Sequence, residues 1–98
     1  MTDLTKRKPI RSNAIRQAAK DEPCTVCGVN DGTTVFCHLN AHWAGKGMGQ
    51  KADDFGMFLC NLCHDQYDGR EKHPLLDWEI TRALYRTWRR LWERGIIG

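Results

Sequence analysis

Cys60-Asn61-Leu62-Cys63-His64-Asp65-Gln66-Tyr67-Asp68 decides how the rest of the chain is read. Cys60 and Cys63 have the spacing of a CxxC knuckle, in which a tight turn brings two thiolates to the same side of one zinc ion. His64 follows at once and Asp68 lies four residues later, so on a helix their side chains stand one above the other. An imidazole and a carboxylate so placed are able to share a second, harder divalent ion. A partner knuckle lies upstream at Cys24-Thr25-Val26-Cys27, with Gly28 behind it to permit the tight geometry. Four thiolates satisfy tetrahedral zinc and leave no open position for substrate, so this site is expected to be structural. Thirty-two residues separate the knuckles, more than an ordinary zinc ribbon needs, and the insert contains His38.

Outward from the knuckles, residues 33–39 are β-branched and aromatic and read as a strand, ending near His38. Cys37, the odd thiol, should point to the opposite face from His38 and belong to the core. Asn30-Asp31-Gly32 before this strand is a turn signal. Residues 40–56 are glycine-rich and form a long loop, the kind that carries function in small domains. Asp53 and Asp54 within it read as loop-capping groups. Met57-Phe58-Leu59 is a short strand into the second knuckle, and a helix is expected from Cys63 or His64 to about Gly69. Upstream, Ser12 caps a short helix over roughly 13–20, with Ile15, Ala18 and Ala19 inward. Residues 1–9 read as a basic flexible arm and residues 10–98 as a single domain.

The C-terminal stretch is the clearest helix, about 74–94, opened by His73-Pro74 and closed by Gly95. At about 100° per residue, Leu76, Ile80, Ala83, Leu84 and Leu91 form an aliphatic sector for the domain. Trp78, Tyr85, Trp88 and Trp92 form a neighbouring aromatic sector. It meets more core, a dimer partner or, less simply, stacked bases. Glu79, Arg82, Arg86, Arg89, Arg90 and Glu93 share the remaining side.

Ninety-eight residues suit one small domain, for which a structural metal is a considerable help. The net charge is +3, with fifteen Lys and Arg gathered toward the two ends. Clustered arginine suits a polyanion such as nucleic acid, or simply a solvated surface. There is no signal-peptide core and no apolar run long enough for a bilayer, which predicts a cytoplasmic protein with reduced cysteines. Paired CxxC motifs then favour metal over redox chemistry.

The layout resembles the HNH, or ββα-metal, nucleases, on Cys24 and Cys27, His38 at a strand end, and Leu59-Cys60-x-x-Cys63-His64-x-x-x-Asp68. That resemblance implies a zinc-stabilised α+β domain in which His38 activates the attacking water. It further implies that His64 and Asp68 hold Mg²⁺ or Mn²⁺ on the scissile phosphate. Cys37 stands where the pattern has a first His or Asp, and the pattern's middle Asn falls near Asp54-Phe55. A closer resemblance rests on Lys8-Pro9-Ile10-Arg11-Ser12, Gly47-Met48-Gly49-x-Lys51-x-x-Asp54 and Cys60-x-x-Cys63-His64-Asp65-x-x-Asp68-Gly69-Arg70. These segments look like the small prophage-encoded YbcO-type nucleases, implying a phage or prophage origin, a bacterial host cell and DNA as partner. Phosphodiester hydrolysis needs an activated water, a cation for the charge building on phosphate, and help for the leaving oxygen. Lys46, Lys51 and Arg70 flank the presumed cleft as phosphate contacts. The alternatives are a zinc-stabilised DNA-binding module without catalysis and a protein-interaction adaptor working through the aromatic helix.

Overall fold

The computed structural model describes residues 10–39, 53–69 and 74–97. They form α1 (Asn13–Ala18), β1 (Val35–His38), β2 (Gly56–Leu59), α2 (Asn61–Tyr67) and α3 (Asp77–Glu93), a small α+β arrangement around one hairpin. Residues 1–9, 40–52, 70–73 and 98 lie outside this description, and with them the expected arm and most of the expected loop.

β1 and β2 pair antiparallel, with Val35 opposite Leu59 and His38 opposite Gly56. The two faces of this ribbon meet different partners. Cys37, Met57 and Leu59 pack with the knuckle cysteines and with Ala83 of α3. Phe58 packs on the other side with Ile15, Ala18, Ala19 and Leu91, and Phe36 joins them. β2 is therefore buried at all four positions rather than alternately. Cys37 is the core residue its strand parity predicts. A two-stranded sheet leaves an unpaired edge, and here side chains finish it in place of a third strand. Phe58 N donates to Thr87 Oγ1 of α3 at 3.0 Å, and Phe58 O accepts from Thr25 N and Oγ1 at 2.8 and 2.9 Å.

The ends of the helices differ from expectation for identifiable reasons. Ser12 Oγ accepts from Ile15 N as the N-cap of α1, but the helix stops at Ala18, ahead of Asp21, which takes a φ of 68°. α2 begins at Asn61, two or three residues earlier than expected, because Cys60 is its N-cap and the Cys60 carbonyl already accepts from His64 N at 2.8 Å. The second knuckle thus straddles a helix start. α3 begins at Asp77 rather than at Pro74, since Glu79 Oε1 reaches back to Leu76 N at 3.0 Å and fixes Leu76 as N-cap. Leu76 is consequently exposed, not part of the buried sector. Gly95, at φ 72°, closes the helix: its N–H bonds to Trp92 O, and Ile96 N bonds to Leu91 O, the paired bonds of a Schellman cap.

Two readings of α3 are corrected. The aromatic sector is not further core, because Trp78, Tyr85, Trp88 and Trp92 are all exposed. The arginines are not simply a solvated side. Arg82 donates to Val26 O, Arg86 to Thr25 O, Arg90 to both oxygens of buried Glu22, and Arg94 to Ala18 O and Glu22. One arginine per turn ties α3 to the segment 18–26 that carries the first knuckle.

Candidate functional site

The four knuckle thiols converge as their spacing predicts. The sulfurs of Cys24, Cys27, Cys60 and Cys63 all lie within 4.8 Å of one another, with Cys27 Sγ 3.7 Å from Cys60 Sγ. A tetrahedral ion at a Zn–S distance of about 2.3 Å requires sulfurs about 3.8 Å apart, so the cluster has the dimensions of a zinc cage. Its electrostatics fit a dication too. Burial pushes the Cys24 thiol up, but backbone N–H donors at Cys27, Cys60 and Val26 outweigh it and hold Cys24 at about 7. Burial raises Cys60, and burial together with the neighbouring Cys24 charge raises Cys63 far more. One thiolate forms easily and then opposes the others, a conflict that a divalent cation removes. Three of the four knuckle cysteines are buried and Cys27 is exposed; four thiolates fill a tetrahedral shell and leave no open coordination position.

His64 and Asp68 stand on one side of α2, Nδ1 to Oδ2 3.4 Å apart, each side chain about 30% exposed. Two adjacent ligands of an octahedral ion at about 2.1 Å lie about 3.0 Å apart, so this pair needs little adjustment to share one. His38 lies at the end of the ribbon away from the knuckle, opposite Gly56. Phe36 packs edge-on against its ring at 5.1 Å, and its Nε2 is 2.8 Å from Asp54 Oδ1. The Asp54 side chain is 0% exposed. It also accepts from Ser12 N and from Arg16 at 2.8 Å, with Arg11 at 3.3 Å. Burial alone would raise this carboxyl, but Ser12 N–H, His38, Arg11 and Arg16 together hold it below the ordinary aspartate value. Asp53 Oδ1 accepts from Ile10 N at 2.8 Å, so both aspartates cap the segment leading into α1.

Among the described residues the four thiols are the only group of three or more metal-ligating side chains so close together. His38 is not drawn into such a group with His64 and Asp68. Lys46, Lys51 and Arg70 fall outside the described residues. The role that the sequence hid is that of Asp54. The sequence marks it as a loop-capping group, by its place near the middle-Asn position of the ββα-metal pattern and as the end of the Gly47–Asp54 segment, but nothing in the loop marks it as the partner of His38.

The sequence profile of the family described as "Putative nuclease YbcO" matches residues 13–95. The chain belongs to the YbcO family. The match takes in α1, both strands, both knuckles and all of α3. A solved structure of "a putative bacteriophage protein from Escherichia coli str. K-12 substr. MG1655" is similar to this YbcO-family chain at 25% identity and a TM-score of 0.61. The similarity covers 84% of this chain and 100% of that one. No curated protein matches the chain significantly. No helix among the described residues is long and apolar enough to cross a membrane.

Proposed function

We propose that this YbcO-family chain is a phage-type endonuclease that hydrolyses DNA phosphodiester bonds with one divalent ion, held apart from its structural zinc. The observation that carries the reading is the His38–Asp54 contact. Asp54 stays ionised under its arginine and backbone donors, so the shared proton sits on His38 Nε2 and leaves the Nδ1 lone pair free. That tautomer is a base, and the imidazolium formed when it takes a proton from water is stabilised by the buried carboxylate. Asp54 acts here through His38 and is a positioning residue.

His64 Nδ1 and an Asp68 oxygen are the groups to hold Mg²⁺ or Mn²⁺. Such an ion would supply charge neutralisation at the phosphate and the departing 3′-oxygen. Lys46, Lys51 and Arg70 are proposed to contact flanking phosphates. A zinc-stabilised DNA-binding module is the second reading, favoured by the replacement of the first His or Asp of the pattern with buried Cys37, a poor ligand for a hard ion.

Nicking of supercoiled plasmid in Mg²⁺ or Mn²⁺ tests the proposal. His38→Ala and His64→Ala are each expected to lower the rate by about 100-fold or more, the usual worth of a positioned base or metal ligand. Full cleavage by both variants overturns it, and tight salt-dependent DNA binding without any cleavage transfers support to the binding module.

A further inference from the structure

Among the described residues, the aromatic side of α3 is met by Phe55 against Trp88 and by Arg82 over Trp78 at 4.8 Å, and much of it stays exposed. Trp78, Tyr85, Trp88 and Trp92 are between 48 and 67% exposed, and Tyr85, Trp88, Arg89 and Trp92 line a shallow groove along the helix. Rings of this kind carry roughly 200 Å² each, so about 450 Å² of aromatic surface faces water. That equals a large patch for a monomer and more than half of the roughly 800 Å² that one partner gives to a standard interface. The Phe55 ring lies edge-on to Trp88 at 5.9 Å and extends the patch off the helix.

The spacing of the rings favours another helix as the occupant. Trp78, Tyr85 and Trp92 recur every seven residues, and Trp88 follows Tyr85 by three, the a and d positions of a heptad seam. The three rings spaced by seven are symmetric about Tyr85, while Trp88 falls opposite Arg82 of the other copy. Trp78 and Trp92 lie about 10.5 Å along the axis on either side of Tyr85. A two-fold axis through Tyr85 therefore sets each Trp78 against Trp92 of the other copy and brings the two Tyr85 rings together. Isologous interfaces need that self-complementarity.

Arg89 is paired with Glu93 at 3.4 Å, while Arg82, Arg86, Arg90 and Arg94 are engaged by the first-knuckle segment. Arg90 and Arg94 share the Glu22 carboxylate, whereas Arg82 and Arg86 donate to backbone carbonyls and keep their charge, with Arg82 over the Trp78 ring at 4.8 Å, so a polyanion is the rival occupant that the test separates.

We infer that two copies of this chain pair antiparallel through α3, with the two-fold axis at Tyr85. The pairing stands independently of the hydrolytic reading, since failure to nick plasmid leaves it untouched. Sedimentation equilibrium of the zinc-loaded full chain, from micromolar to millimolar concentration, tests it. The wild type is expected at twice the chain mass, and Tyr85→Arg, which sets two cations face to face at the axis, at once the chain mass. Trp92→Glu should weaken the dimer at least tenfold. Both positions are exposed, so unchanged circular dichroism and zinc content are expected alongside. A wild type that stays monomeric throughout overturns the inference. So does a dimer that survives both substitutions, or a monomer whose tryptophan fluorescence is quenched by a single-stranded oligonucleotide, which would give the face to nucleic acid.

Discussion

Asp54 holds a negative charge with no side-chain surface in water, and four donors converge on it: Ser12 N–H, Arg11, Arg16 and His38. Removing the charge while keeping the shape isolates its effect on His38. Asp54→Asn presents an amide that no longer fixes the imidazole proton on Nε2, so the plasmid-nicking rate should fall at least tenfold. The same carboxylate contributes to stability. Its folded pKa lies below the ordinary value of about 3.9. Its contribution is therefore complete above that value and is lost as pH falls through the folded pKa. The gap in thermal midpoint between wild type and Asp54→Asn should be widest above about pH 5 and close in stronger acid. Protonation of the knuckle thiolates weakens both proteins alike, so the gap reports on Asp54.

The ribbon β1–β2 is the element on which every site depends, and its tightest point is Gly56. A Cβ there would sit 2.0 Å from the Cys37 carbonyl oxygen and 3.0 Å from His38 Cα. Gly56→Ala must push the strands apart at the end that carries His38, and a loss of about 1–3 kcal/mol is expected. For a domain of this size each kcal/mol lowers the thermal midpoint by about 4–8 °C, measurable by calorimetry. At the opposite edge of β2, Thr87→Val keeps the volume but leaves Phe58 N–H buried without an acceptor, at a cost of about 1–3 kcal/mol. Thr87 shows how far the sequence could be read. The knuckles, both strands and α3 are legible from spacing and periodicity, because thiol pairs and apolar repeats state their own geometry. Thr87 is a polar letter in a helical pattern, and only the unpaired edge of β2 explains why it is buried. The α3 arginines mislead for a related reason. Clustered positive charge looks the same in sequence whether it faces a polyanion or ties down the carbonyls of a distant loop.

At the scale of the molecule, the four-thiol cluster is one candidate metal site and the His64–Asp68 pair is proposed as a second, chemically different one. Soft thiolates join the two halves of the chain, and the hard His64–Asp68 pair rides on the helix that grows out of the second knuckle. Chelation of zinc should therefore abolish cooperative unfolding and the far-ultraviolet helical signal, and zinc but not magnesium should restore them. Zinc affinity, read by competition with a chelator, should rise from pH 6 to pH 8. Cys24 titrates at about 7 and Cys60 and Cys63 higher, so metal must displace protons. That separation of roles is most directly tested by anomalous scattering from a zinc-containing crystal soaked in Mn²⁺. The account predicts a zinc peak among the four sulfurs and a distinct manganese peak beside His64 Nδ1 and Asp68. Manganese bound elsewhere, or no second peak when the helix face is open to solvent, would contradict it.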